Sequence, residues 1–151
     1  SETEAVRAFL ERQMRRALAA GIPTERIALD PGIGFSKRAE QSLRVLHGLP
    51  RLTTLGRPLY IGVSRKSFLG RVTGRSIGTG RGPGDHMTPP EERLAAGLGA
   101  TIAALVLGAR IVRTHDVRAT VDAIRTAEAI WNSTPAAAVP GGTPAEARTG
   151  S

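Results

Sequence analysis

Residues 59–67, Leu-Tyr-Ile-Gly-Val-Ser-Arg-Lys-Ser, decide the fold. Five residues of strand character end abruptly in a polar, cationic group. That is the pattern of a buried strand delivering side chains at its C-terminal end. The event occurs twice more. Ile27-Ala28-Leu29 is a short apolar run ending in the turn signal Asp30-Pro31-Gly32, and residues 109–113, Ala-Arg-Ile-Val-Arg, end in Thr114-His115-Asp116.

Helical patterns separate these runs. Val6, Phe9, Leu10, Met14, Ala17 and Leu18 recur at helical spacing over 2–20, with Gly21 as the C-terminal cap and Pro23 beyond it. A second helix is expected over 37–47, with Ser36 as N-cap and Leu43 and Leu46 inward. Residues 70–90 read as a long mobile loop. Thr88-Pro89-Pro90-Glu91 then has the capping-box pattern for a helix over 89–107, inward through Leu94, Leu98, Ile102 and Leu105. A last helix, 117–131, is expected to pack through Val121, Ile124 and Ile130, with Asp116 as its N-cap. Everything after Asn132 is small, polar and rich in Pro and Gly, so 133–151 read as a disordered tail.

The order α-β-α-β-α-β-α predicts an α/β fold of parallel β/α units with right-handed crossovers. A (β/α)₈ barrel needs about 250 residues. A chain of 151 is therefore a small open sheet or part of a barrel. No Gly-rich dinucleotide fingerprint follows the first strand.

Composition narrows the chemistry. Cysteine is absent, which excludes disulfides, thiolate metal sites and a Cys nucleophile. Aromatics are 3%, too few for a row of base-stacking rings. The net charge of +8 comes from arginines scattered from Arg7 to Arg148, which reads as a basic surface with local anion sites and no nucleic-acid face. The longest apolar run, 94–109, is short for a membrane span. The chain opens on Ser1 without a secretory leader, which reads as an excised piece or a processed product, expected in the cytoplasm.

Parallel strands place their C-terminal ends on one rim, where ligands bind in α/β folds. Asp30, then Ser64, Arg65 and Lys66, then Arg113 and His115 meet there. Cations at a helix start oppose the helix dipole unless an anion sits between them. Lys66, Arg113 and His115 therefore suit a phosphate or diphosphate. Asp30 can satisfy its own turn amides, or accept two parallel hydrogen bonds from an amidine-like heterocycle. Together they suit a nitrogen-rich ring joined to an anion. Lys37 and Lys66 are the only lysines, and Lys37 is a weaker candidate. His47 and His86 stand apart and read as surface residues.

Asp30-Pro31-Gly32-Ile33-Gly34-Phe35-Ser36-Lys37 resembles the DPGxGFxK segment of the dihydropteroate synthases. The segment Gly62-Val63-Ser64-Arg65-Lys66-Ser67-Phe68-Leu69-Gly70 resembles their GxSRKSFxG segment. Glu92-Arg93-Leu94 and Arg113-Thr114-His115-Asp116-Val117 resemble their ERL and RxHDV segments, in the same order. The resemblance implies a pterin-binding TIM barrel and a homodimer, with residues 1–132 as the C-terminal part of the barrel. It implies the step of folate synthesis that joins 4-aminobenzoate to 7,8-dihydropterin-6-ylmethyl diphosphate and releases diphosphate. By resemblance, Asp30 and Lys66 bind the pterin. Arg113, Thr114 and His115 hold the diphosphate. Phe35, Ser64 and Arg65 border the 4-aminobenzoate. Lys66, Arg113 and His115 form the catalytic set, acting on leaving-group charge and a sheltered pterin methylene cation. A Mg²⁺ ion is implied, with its ligand on the earlier strands and none in this chain. Those strands also carry further pterin contacts, so the chain alone is expected to be inactive. Ser36 and Thr114 depart from the family's usual Gly and Val. The alternatives are a non-catalytic paralogue, the pterin-binding domain of a methyltransferase, and, from another class, a basic nucleic-acid-binding module.

Overall fold

A computed structural model describes residues 1–35, 38–77 and 84–133. The expected tail, from 134 onward, lies outside the described residues, as do Ser36, Lys37 and the middle of the expected loop, 78–83.

The first helix, α1 (Glu2–Ala19), starts where the Ser1 hydroxyl accepts the Glu4 N–H, with Glu2 and Glu4 in its first turn. It ends as expected. Gly21 adopts φ +83°, and the Gly21 and Ile22 N–H groups turn back to the carbonyls of Leu18 and Ala17. The predicted apolar stripe is only partly used. Leu10 is buried, whereas Phe9 and Leu18 are exposed. The helix docks through its N-terminal half, where Glu2 pairs with Arg44 at 2.7 Å and Glu4 with Arg51 at 2.8 Å.

The expected strand over 27–29 is corrected to one parallel bridge, Leu29 to Leu59. A 3₁₀ turn at Thr24–Arg26 and the Asp30-Pro31-Gly32 turn leave it no room to extend. Beside it, β1 (Leu59–Ile61) pairs in parallel with β2 (Ala109–Val112), with a register shift between Leu59 and Tyr60. The order across the sheet is therefore Leu29, β1, β2, all parallel. Leu59, Ile61 and Val63 are fully buried, and each contributes roughly 1.5–3 kcal/mol by leaving water.

The helices depart from the sequence reading in instructive ways. α2 (Ala39–His47) begins two residues late, with Arg38 at its N-cap position and the Arg38 N–H donating to Gln41 Oε1. It buries Ser42, Val45 and Leu46, and Leu43 is 41% exposed because it lies on the far side of that face. A short unpredicted helix, α3 (Leu49–Thr53), follows Gly48 and buries Leu49 and Leu52. The expected loop begins instead as a helix, α4 (Ser67–Val72), which buries Phe68 and Leu69. A 3₁₀ turn, Pro90–Arg93, leads into α5 (Leu94–Val106), so no α-helix starts at Pro89. α5 packs through its small residues Gly97, Thr101 and Ala104, and Leu94 is exposed. Close approach of backbones selects the small face over the leucine face. The last helix, α6 (Val117–Trp131), buries Thr120, whereas Val121 and Ile130 are exposed. No described helix is long and apolar enough to cross a membrane.

Candidate functional site

The Asp30 carboxylate first serves its own turn, with Oδ1 accepting the Gly32 N–H at 2.8 Å. Its second oxygen has no hydrogen-bond partner among the described residues. Ile33 then anchors the loop in the core, and the Gly34 N–H donates to the buried Ser42 hydroxyl at 3.2 Å. Gly34 is required twice over. Its φ is +75°, and a Cβ there would sit 2.7 Å from Lys66 Cδ. The Lys66 stem thus lies along the glycine. Its ammonium donates to the Ile33 carbonyl and stands 4.1 Å from the centre of the exposed Phe35 ring.

After β1 the chain turns sharply, with the Lys66 N–H returning to the Val63 carbonyl at 3.2 Å. Arg65 occupies this turn at φ +60°, a left-handed conformation that costs an arginine about 1–2 kcal/mol. Its side chain holds it there. Arg65 Nη2 and Nε grip Asp116 Oδ1 and Oδ2 at 2.7 and 3.2 Å. The guanidinium hydrogen bond holds the Asp116 carboxyl below its usual range, against the opposing desolvation. Asp116 stands at the N-cap position of α6 but caps nothing with its side chain, which corrects its expected role. The carboxylate is spent on Arg65.

Ser64 and His115 join the two strand ends, with Ser64 Oγ 3.1 Å from the His115 backbone nitrogen and 3.0 Å from Nδ1. The Thr114 hydroxyl turns away from the rim, 2.9 Å from the Thr120 hydroxyl, and accepts the Asp116 N–H. Arg113 is anchored by its backbone N–H to the Ile61 carbonyl, and its side chain runs past Gly62. Its guanidinium makes no hydrogen bond or ion pair among the described residues.

The structure therefore brings Asp30, Phe35, Ser64, Arg65, Lys66, Arg113 and His115 to one rim. Lys37 lies outside the described residues. His86 is exposed and sits in an isolated antiparallel bridge with Ile77, away from the strand ends. One contributor went unread. Arg93, quoted above only within a motif, is buried and bonded to the Arg65 carbonyl. A lone Arg in an acidic, Pro-rich segment carries no sign of burial. Among the described residues no three His, Cys, Asp or Glu side chains draw together as metal ligands.

These features recur in known proteins. The chain is 42% identical over 127 residues to the dihydropteroate synthase of Synechocystis sp., covering 83% of this chain and 39% of that protein. It superposes on the Xanthomonas albilineans dihydropteroate synthase in complex with 7,8-dihydropteroate with a TM-score of 0.77 and 36% identity, covering 88% of this chain and 46% of that one. The same bacterium's enzyme with 4-aminobenzoic acid gives 0.77 and 36%, covering 88% and 44%. The chain thus spans about two-fifths of the curated relatives' length and adopts the parallel β/α architecture of part of their barrel. The Pterin binding enzyme family matches residues 1–115, a stretch that opens with α1 and closes on His115 after taking in every strand end of the rim, and the chain belongs to that family.

Proposed function

We propose that residues 1–132 supply part of a dihydropteroate synthase site. The observation that carries this reading is the shared rim: Asp30, Lys66, Arg113 and His115 all follow the C-terminal ends of parallel strand segments, and Asp30 keeps one carboxylate oxygen without a hydrogen-bond partner among the described residues. Asp30 accepts N–H groups of the pterin edge, and Lys66 meets that ring from another side. Arg113 and His115 hold the diphosphate. Phe35 and Ser64 border the 4-aminobenzoate. The amine nitrogen of 4-aminobenzoate forms a bond to the pterin 6-methylene carbon as the bond from that carbon to the diphosphate oxygen breaks. The amine loses one proton, and diphosphate departs with the electron pair. No redox step occurs, and no protein nucleophile is needed. The protein's contribution is to stabilise the leaving charge and shelter the methylene carbon. Mg²⁺ would neutralise diphosphate charge, and its protein ligand lies outside this chain. The same reading brings a homodimer working in the cytoplasm.

The test uses the polypeptide from the full reading frame, supplied with complementary β/α units if that frame encodes only these residues. It is assayed for dihydropteroate from 4-aminobenzoate and the dihydropterin diphosphate with Mg²⁺. Product formation that falls when Lys66 or Arg113 is replaced supports the reading. A well-folded assembly that makes none overturns it.

A further inference from the structure

Arg93 closes the 3₁₀ turn Pro90–Arg93 and is 8% exposed. Its Nε donates to the Thr88 carbonyl at 2.8 Å, and Nη2 donates to the same oxygen. Its Nη1 donates to the Arg65 carbonyl at 2.7 Å. No carboxylate pairs with it among the described residues. A buried guanidinium is tolerated only where its N–H groups are taken, and here two backbone carbonyls take them. Each carbonyl belongs to a constrained segment. Thr88 is buried, its N–H donates to Ser76 Oγ at 2.8 Å, and the two hydroxyls lie 2.9 Å apart. Arg65 is the left-handed residue of the Val63–Lys66 turn, already gripped through its side chain by Asp116. Arg93 therefore holds the carbonyl side of a strained residue whose guanidinium is held from the opposite direction. The peptide plane it fixes is the one from which Lys66 departs.

Given the synthase reading above, we propose that Arg93 is a positioning residue. It touches no substrate, and it holds the Val63–Lys66 turn in the conformation that delivers Lys66 to the pterin and Ser64 to the 4-aminobenzoate border. A planar fork spans two carbonyls, whereas an ammonium is a single point. Arg93→Lys keeps the charge and loses the span.

The experiment is a double-mutant cycle with Lys66→Ala. It is read by calorimetry of dihydropterin diphosphate binding and, in the Lys66 parent, by the split between kcat and KM. Arg93→Lys is expected to weaken binding roughly tenfold when Lys66 is present and less than about twofold when it is absent, because the two act through one turn. Wild-type binding and turnover in Arg93→Lys would overturn the inference. So would an equal loss in both backgrounds, which would make Arg93 a general prop. If Arg93→Lys does not fold, Arg93→Gln is read in the same way. A parent that binds the pterin but makes no product fails the synthase reading, and the binding cycle still decides Arg93.

Discussion

Ser64 Oγ lies 3.0 Å from His115 Nδ1 and 3.1 Å from the His115 backbone nitrogen, so one hydroxyl joins the ends of two parallel strands. The backbone N–H donates to one Oγ lone pair, and the hydroxyl proton is then available to Nδ1. We predict that the hydroxyl is the donor to Nδ1, an arrangement that puts the ring proton on Nε2 and presents a donor to an anion. Ser64→Ala is expected to release that tautomer and weaken diphosphate binding by about 1 kcal/mol, or roughly fivefold. Nitrogen chemical shifts of His115 and calorimetry with diphosphate read both effects. A tautomer unchanged in the variant would refute the assignment.

Asp30→Asn separates the two duties of Asp30. The amide oxygen can still accept the Gly32 N–H, so the turn survives. The second position becomes a donor facing ligand N–H groups. Pterin affinity should fall more than about tenfold, in line with roughly 1.5–3 kcal/mol for a charged hydrogen bond. Unchanged affinity, with unchanged thermal stability, would leave Asp30 as a turn residue only.

Lys66→Arg should behave as a severe change. The stem passes a glycine that admits no Cβ, and the ammonium reaches the Ile33 carbonyl over Phe35. A planar guanidinium is too broad for that path. Pterin affinity is expected to drop about tenfold, the scale of one lost charge-assisted hydrogen bond. Full turnover in the variant would contradict this.

The Arg65–Asp116 pair sets an acid limit. Asp116 titrates below its ordinary value of 3.8 in the folded protein. Its folded state therefore binds fewer protons than the unfolded one in that range. The stability it contributes is complete above about pH 4 and is lost as pH falls through the lowered value. Asp116→Asn should have a lower Tm near neutrality and a shallower decline below pH 4. Glu2 is lowered first by a backbone hydrogen bond and then by Arg44, Glu4 is lowered by Arg51, and both decline in both proteins, so the difference between the two curves isolates Asp116. Parallel curves would show that the pair contributes nothing to acid stability.

Tyr60, Val112, Val117, Val121 and Ile124, with Arg113, Thr114 and Thr120, line an open groove of about 400 Å³ beside β2. Expressed as the 151 residues alone, the chain should self-associate through this face and make no dihydropteroate. Sedimentation and the product assay test this together. A monomer with substantial turnover would overturn it.

The rim was legible because each strand end changes character within one or two residues, from Leu29 to Asp30, from Val63 to Ser64 and from Val112 to Arg113. Parallel order then forces those positions together. The faces of the helices were less legible. α5 is apolar all round, so hydrophobic spacing could not distinguish Leu94 from Gly97, and the tight contact that selects the small face is tertiary. Asp116 has the residue type of a cap, and only the fold brings Arg65 within reach of it. Arg93 was invisible for the same reason. Its partners are carbonyls, which every residue carries.

The resting place of Lys66 ties the proposed pterin site to the proposed 4-aminobenzoate site. Its ammonium is already bonded to the Ile33 carbonyl and stands over Phe35, the ring proposed to border 4-aminobenzoate. On the synthase reading, a bound pterin competes with the Ile33 carbonyl for that ammonium, so its affinity is net of the bond it displaces. On that reading the same exchange draws the ammonium off the Phe35 ring, so occupancy of one proposed pocket changes the wall of the other.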